Sequence, residues 1–107
     1  MLLNTQFKKG VLELCVLQLL KTRDRYGYEL VAGISRCVKI SEGTIYPLLR
    51  RLKTEGYVST YLKESSEGPP RKYYSLTRLG EETRAVQLAE WNAFSHGIDR
   101  ILGGQCE

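Results

Sequence analysis

Residues 41–58, SEGTIYPLLRRLKTEGYV, contain one complete amphipathic helix with a signal at each end. Ser41 precedes the apolar-periodic run as a predicted N-cap, and we expect its hydroxyl to accept a hydrogen bond from a first-turn N–H. Gly56 is typical of the residue just past a helix C-terminus. The residues that share the predicted buried face are Ile45, Leu48, Leu49 and Leu52.

The opposite face of this helix is polar. It carries Gly43, Pro47, Arg50 and Thr54, flanked by Thr44, Tyr46 and Arg51. A helix that enters the DNA major groove must bury one side and leave the other free for bases and phosphates. The small residues near its N-terminus allow close approach to a duplex, whereas the tyrosine and the two arginines can reach phosphate or base edges. The pattern therefore predicts a recognition helix, the alternative being a simply solvated face with a tolerated proline kink.

Helical periodicity also marks residues 5–21 and 26–36, and Thr77 is placed to cap a last helix that runs to about Leu102. Two strand-like runs, residues 57–62 and 72–76, enclose a Ser-, Glu-, Gly- and Pro-rich segment at 64–70. That segment is too long for a two-residue turn, so we expect a projecting loop. The order predicts a mainly α protein with a small β-hairpin, a winged helix-turn-helix of the α+β class with a C-terminal dimerisation helix.

Cations continue from the third helix into the hairpin. Arg71 and Lys72 follow Gly-Pro-Pro, so the hairpin is expected to act as a wing along the minor groove or backbone, or else as a charged edge strand. Tyr26, with Arg23 and Arg25, precedes the second helix. For these three residues, contact with phosphate and a structural role are equally supported by the sequence. Residues 1–76 carry 13 Lys and Arg against 7 Asp and Glu, while residues 77–107 carry 3 against 5, which favours a polyanionic partner for the first part.

The last helix carries two apolar lines. One has the 3-4-3 spacing of a coiled-coil seam: Trp91, Phe94, Ile98 and Ile101, followed by Leu102. The second contains Leu79, Val86 and Ala93. Two lines need two partners, which we expect to be the helix's own domain and another subunit. The predicted organisation is a winged-helix domain at 1–76 and a dimerisation helix with a short tail at 77–107, together one compact unit.

Composition excludes several other classes of protein. The chain has 42% hydrophobic and 26% charged residues, one histidine and three cysteines that form no CxxC pair. His96 alone cannot build a His-based metal cluster or a Ser-His-Asp arrangement, so we predict no enzyme, no metal and no cofactor. An odd number of cysteines without a secretory signal, and no apolar run of membrane length, predict a cytoplasmic protein with reduced thiols and no membrane partner.

Three motifs in order, YGYEL (26–30), the quoted 41–58 stretch and GPPRKYYSLTRLG (68–80), resemble the PadR family of bacterial regulators. The single short C-terminal helix is similar to the small subgroup. The resemblance implies a winged-helix dimer that binds a palindromic operator, represses its promoters and releases DNA when an effector binds. The positions that match the family's DNA-contacting motifs are Glu42, Gly43, Thr44, Tyr46, Pro47, Gly68, Arg71, Lys72 and Tyr73.

Trp91 carries a further implication of the resemblance. In multidrug-responsive members of the small subgroup, a tryptophan at this place lines a pore at the dimer interface, where two copies sandwich a planar aromatic ligand. The alternative is an ordinary anchor of the dimer core. Leu14, Cys15 and Gln18 of the first helix are weaker candidates for the same pore.

Other functions remain open at this stage. The effector could be a phenolic acid, or the signal could be oxidation of Cys37, which lies beside Arg36 and near Lys39, cations that favour a reactive thiolate. A different class of function is a winged helix that docks an acidic protein partner and has no sequence-specific DNA binding.

Overall fold

The computed structural model describes residues 5–106, with side chains from residue 9 onward. The element order confirms the α+β class and the predicted succession of helices and hairpin. The elements are α1 (Thr5–Thr22), β1 (Arg25–Tyr26), α2 (Gly27–Ser35), α3 (Glu42–Thr54), β2 (Val58–Ser65), β3 (Gly68–Leu76) and α4 (Arg78–Leu102). The molecule is elongated, 58 × 30 × 21 Å. None of the described helices is long and apolar enough to cross a membrane.

The core lies where α1, α2 and α3 pack together over one face of the sheet. All four aliphatic residues predicted for the inner face of α3 are buried, which confirms its amphipathic pattern. The largest fully buried side chains are Val16, Leu17, Leu30, Ile45, Leu49 and Leu52. Each such side chain stabilises the fold by about 1.5–3 kcal/mol relative to an exposed one. α3 is therefore held by its apolar side in a fixed orientation.

The two predicted caps behave differently. Ser41 is the N-cap of α3, but its hydroxyl accepts no first-turn N–H and lies 3.2 Å from Thr44 Oγ1 instead, so that part of the prediction was wrong. Thr77 caps α4 as predicted, because its Oγ1 accepts from Gly80 N at 3.0 Å. The same hydroxyl donates to Gly56 O at 2.7 Å, which joins the start of α4 to the end of α3.

The hairpin differs from its prediction. Ser65 pairs with Gly68, so both strands extend into the expected loop and only residues 66 and 67 connect them. Gly68 has φ +149°, a backbone conformation that favours glycine, and a bulge between Lys63 and Ser65 absorbs the change of register. The turn-rich composition of 64–70 therefore reflects this irregular tip, and the predicted long projecting loop was wrong.

A third strand, β1, escaped prediction. The sheet order is β1-β3-β2, all antiparallel, with Arg25 opposite Tyr74 and Tyr26 opposite Tyr73. α2 consequently begins at Gly27, not at Tyr26 as predicted, and the Tyr26 N–H donates to Glu29 Oε1 at 3.2 Å. A two-residue strand has no periodicity, and its partner lies almost fifty residues away, so no local pattern marks it.

The first half of α4 packs against α1 through polar side chains. Arg84 is buried and donates to Gln18 at 2.9 Å and to Glu81 at 2.7 and 2.8 Å. Gly80 lets the start of α4 approach the backbone between α3 and β2, because a Cβ there would collide with Tyr57 O. Leu79 and Val86, from the second predicted apolar line, are exposed, so that line does not supply the contact with the helix's own domain.

Candidate nucleic-acid interface

The outward face of α3 is a continuous exposed surface. Its exposed members are Glu42, Gly43, Thr44, Tyr46, Pro47 and Arg50. Pro47 lies inside the helix, where it cannot donate an N–H to the carbonyl of Gly43, one turn earlier. Gly43 is exposed, and a Cβ added there would meet only Ser41 Oγ, at 3.9 Å. The start of α3 therefore offers accessible backbone on the predicted DNA side.

Tyr46 is fixed against the start of α2. A Cβ added at Gly27 would lie 3.0 Å from Tyr46 Cε1, so the bare glycine makes room for the ring. Tyr46 nevertheless keeps 36% of its surface exposed. The buried hydroxyl of Tyr74 on β3 has a raised pKa, first because of burial and then because of Tyr46, while Arg50 acts in the opposite direction. Tyr46 and Arg50 are thus near enough to Tyr74 to act on its hydroxyl electrostatically.

Arg51 has a different environment from Arg50. Its Nη2 donates to Glu13 Oε2 on α1, and its Nη1 lies 3.3 Å from both carboxylate oxygens of Glu55. The bond with Glu13 raises the pKa of Arg51, and Glu13 itself is buried. Gln87 of α4 donates to the other Glu13 oxygen at 2.9 Å. Arg51 is therefore engaged in holding three helices together, and its contact with DNA stays a prediction.

The wing presents its two predicted cations on opposite faces. Because side chains alternate along a strand, Lys72 lies on the same face as Tyr74, while Arg71 lies on the same face as Tyr73. Both cations are exposed. Lys72 thus extends the surface that begins at Tyr46 and Arg50.

Arg71 belongs to an aromatic row on the outer face of the sheet. Tyr73 lies 5.5 Å from Tyr26 and 5.6 Å from Tyr61, measured between ring centroids. The Arg71 guanidinium lies 4.6 Å from the Tyr26 ring centroid, and Lys63 Nζ lies 5.3 Å from that of Tyr73. Neither this row nor Lys63 was predicted from the sequence, although the alternation of side chains along residues 71–76 separates the two faces of β3.

The cations before α2 are largely used within the fold. Arg25 Nε donates to Leu19 O at 3.0 Å and its Nη2 to Thr22 Oγ1 at 2.8 Å, so it caps the C-terminal end of α1. Burial, followed by the nearby Arg23, lowers the pKa of Arg25. Arg23 pairs with Glu29 at 3.2 Å. Of the two roles left open, the structural one has direct support for both arginines, and phosphate contact by Tyr26 stays a prediction.

The predicted effector residues line two neighbouring grooves. Trp91 and Leu14 line a groove of about 330 Å³ between α1 and α4, together with Gly10, Val11, Gln87, Glu90 and Phe94. Cys15 and Gln18 line a second groove, of about 420 Å³, and Leu14 lies between the two. The four residues therefore do not share one cavity within a single chain.

The predicted dimer seam lies on the second half of α4, beyond its polar contacts with α1. All of its members are exposed in the single chain, from 37% for Trp91 and Ile98 to 79% for Leu102. Trp91 and Phe94 also contact each other, with ring centroids 6.4 Å apart. The seam and the DNA-facing side of α3 thus lie on different elements.

Comparison with known proteins agrees with this architecture. The family model of PadR-like transcriptional regulators matches residues 16–86, which is more than half of the chain. The chain belongs to the PadR-like family of transcriptional regulators. The solved structure of a Streptococcus transcriptional regulator is 41% identical, with a TM-score of 0.82 over 92% of this chain and 98% of that one. A PadR-like regulator of Bacillus cereus is 39% identical, with a TM-score of 0.81 and coverage of 91% and 96%.

A transcriptional regulator of Mycobacterium tuberculosis is 28% identical over 94% of this chain and 91% of its own. Membership of the PadR-like family confirms the winged-helix fold, the role in transcription and the prediction that the chain is not an enzyme, since PadR-like proteins are DNA-binding regulators.

The different environments of Arg50 and Arg51 yield the first prediction. Arg51→Gln should lower the free energy of unfolding by about 1–2 kcal/mol, because it leaves the buried Glu13 carboxylate without its cation, while the partial exposure of Arg51 moderates the cost. Arg50→Gln, the matched control, should change it by less than about 0.5 kcal/mol. Urea unfolding followed by circular dichroism measures both, and equal losses would contradict the assignment.

Proposed function

We propose that this PadR-like regulator is a homodimeric repressor that binds a palindromic operator and releases it when a planar aromatic ligand binds at the dimer interface. The observation that carries the DNA-binding part is the exposed face of α3 beside the wing: Tyr46 and Arg50 lie near Tyr74, and Lys72 is exposed on the same face of β3 as Tyr74. Residues 1–76 form the DNA-binding part and residues 77–107 the dimerisation part. We also propose that it acts in the cytoplasm, where the bacterial chromosome lies.

Different residues of the proposed DNA surface are suited to different contacts with the duplex. Gly43 and Thr44 bring the backbone of α3 close to the groove floor, where Arg50 is placed to read a guanine or to bind a phosphate. Glu42, at the first turn, is suited to accept from a cytosine amino group. Lys72 and Arg71, on opposite faces of the wing, are suited to the two phosphate walls beside the groove, which adds affinity with little sequence information.

The second prediction tests this surface. The double variant Arg50→Gln, Lys72→Gln should bind the DNA upstream of its own gene at least about tenfold more weakly at physiological salt. If both residues contact phosphate, the slope of log K against log salt should become shallower by about 2. Gel-shift titrations at several salt concentrations, with a scrambled duplex of equal length as the non-specific reference, provide the measurement.

Arg78→Gln is the matched control, since Arg78 is almost fully exposed at the start of α4 and is not one of the residues predicted to contact DNA. It should leave affinity and slope unchanged. Equal binding of operator and scrambled DNA by the native chain would favour the protein-interaction module over a repressor.

Dimerisation is supported by the shape and polarity of α4. The first half of this 25-residue helix faces α1 with polar groups, whereas the second half presents exposed apolar side chains along one side. A soluble monomer rarely exposes such a continuous apolar line, and two copies packed along it would bury it. Two recognition helices related by a two-fold axis would then face a palindrome.

The third prediction follows from the seam. Ile98→Asp should convert the dimer into monomers at micromolar concentration, because a carboxylate in an apolar interface has no compensating partner. Ala89→Asp, exposed on the opposite side of α4, should leave the dimer intact. Sedimentation equilibrium gives the oligomeric state, and circular dichroism confirms that both variants are folded. A monomeric native chain, or loss of the dimer in both variants, would contradict the proposed seam.

The proposed effector site is the groove at Trp91. Its indole is 37% exposed beside Leu14 and Phe94, which suits stacking on a planar ring, and Glu90 adds a carboxylate to the same wall. That carboxylate favours a cationic ligand. In the proposed dimer, a second copy of the same wall would close the groove.

The groove is connected to α3 by the chain of hydrogen bonds around Glu13. Gln87 lines the groove and donates to Glu13, whose other oxygen accepts from Arg51 on α3. A ligand that displaces Gln87 would therefore disturb a contact that fixes α3. We propose this as the route by which ligand binding changes the spacing of the two recognition helices.

The fourth prediction uses Trp91, the single tryptophan, as the reporter. The planar cation proflavine should quench its fluorescence at saturable stoichiometry, and Glu90→Gln should weaken that binding about two- to fivefold, the effect of one partly exposed charge pair. Glu82→Gln, exposed on the same helix, is the control and should not change it. In Glu13→Gln we expect quenching to persist while the effect of the dye on DNA affinity diminishes.

Absence of quenching from a folded native dimer would remove the stacking site. An unchanged effect of the dye on DNA affinity in Glu13→Gln would remove the proposed route while leaving the site intact.

A further inference from the structure

The second groove brings together two of the three cysteines. It lies between α1, the end of α2 and α4, and has a volume of about 420 Å³, within the range of small-molecule sites. Cys15 is half-buried on α1, and Cys37 is exposed just after α2. Most of the remaining wall is aliphatic, with Leu19, Ile34 and Leu88 among its members. The groove is separate from the DNA surface and from Trp91.

Cys15 and Cys37 both lie near a close contact between α1 and α2. Leu19 Cδ1 would be 3.4 Å from a Cβ at Gly33, so α1 and α2 touch at that point. Cys15 precedes Leu19 by one helical turn, and Cys37 follows Gly33 by four residues. Both cysteines line the same groove beside this contact. The charge of an ionised Cys37 also contributes to a raised pKa at Cys15, as expected for neighbouring thiols.

The protonation state of Cys15 limits the reactions that this pair of cysteines can undergo. Burial is the main cause of its raised pKa, so Cys15 is a thiol at neutral pH and a poor nucleophile toward peroxides. A trivalent arsenic oxide does not require a preformed thiolate, because the thiol proton leaves with the oxide oxygen. Sulfur is also the ligand that soft metal and metalloid centres prefer.

We propose that Cys15 and Cys37 form a dithiol site for trivalent arsenic that carries an aryl or similar apolar group. For an aryl arsenic oxide, two As–S bonds form, the As–O bond breaks, and the two thiol protons leave with that oxygen as one water molecule. Arsenic remains trivalent, so neither an oxidant nor a reductant is consumed. The aryl group would lie against the aliphatic wall of the groove.

Chelation explains why this pair differs from Cys106. Once one sulfur has bound, the second As–S bond is formed within the same chain at a high effective concentration. Cys106 lies exposed in the C-terminal tail, outside the lining of the groove. A single thiol there forms only a reversible one-sulfur adduct.

The test uses phenylarsine oxide on the reduced, full-length chain, without DNA, so that its outcome is independent of the proposed repressor function. After gel filtration, mass spectrometry under denaturing conditions should show one phenylarsenic group per single chain, with loss of one water. Cys106→Ser should retain this adduct. Cys15→Ser and Cys37→Ser should each lose it, with retention at least about tenfold lower than in the native chain.

Retention of the adduct by either single variant, its loss in Cys106→Ser, or arsenic that bridges two chains would overturn the site. Should Cys15→Ser unfold, as judged by circular dichroism, Cys37→Ser decides alone, because Cys37 is exposed and its replacement leaves the core untouched.

Discussion

The arrangement of the helices depends on one buried carboxylate, that of Glu13. An isolated charge in an apolar environment is strongly unfavourable, so it persists only where hydrogen bonds and an opposite charge compensate for lost hydration. Both oxygens of Glu13 are engaged, one by Arg51 of α3 and the other by Gln87 of α4. The carboxylate sits on α1 between these two helices. The orientation of α3 relative to α4 is therefore coupled to this one side chain.

Sequence periodicity could predict every helix but not this contact. In the sequence, Glu13 only interrupts an apolar run, and its partners are 38 and 74 residues away. Likewise, Arg50 and Arg51 are adjacent and chemically identical, and only the position of α1 distinguishes the free cation from the one engaged in an ion pair. A local sequence pattern shows which side of a helix is apolar. It does not show which polar residue at the edge of that side pairs with a buried charge.

The sheet likewise has parts that the sequence could predict and parts that it could not. The strands at 57–62 and 72–76 were predictable from β-branched and aromatic residues, and Thr77 from its place before an apolar-periodic run. The extension of the hairpin to Ser65 and Gly68 was not predictable from the sequence. Prolines and glycine indicate a loop, unless it is known that the strand lacks a hydrogen-bonded neighbour there. β1 covers only Tyr73 and Tyr74, and Pro69 and Pro70 fall at the bulge, in the gap of the β2 register between Arg71 and Gly68. Neither proline therefore removes the N–H of a regular ladder pair. The pairing of Tyr26 with Tyr73 similarly depends on tertiary structure.

The two halves of α4 differ in the kind of interaction that they offer, polar in the first half and apolar in the second. Apolar contacts tolerate sliding and rotation, while buried polar contacts are satisfied in only one register, and at α4 the polar ones face the helix's own domain. Gly80 adds a steric constraint, since any side chain there would collide with the backbone at Tyr57. The first half of the helix is thus fixed in position and rotation. The apolar second half, which extends past these contacts, is consequently held at a defined angle to the recognition helix, and a second chain packed on it would inherit that angle.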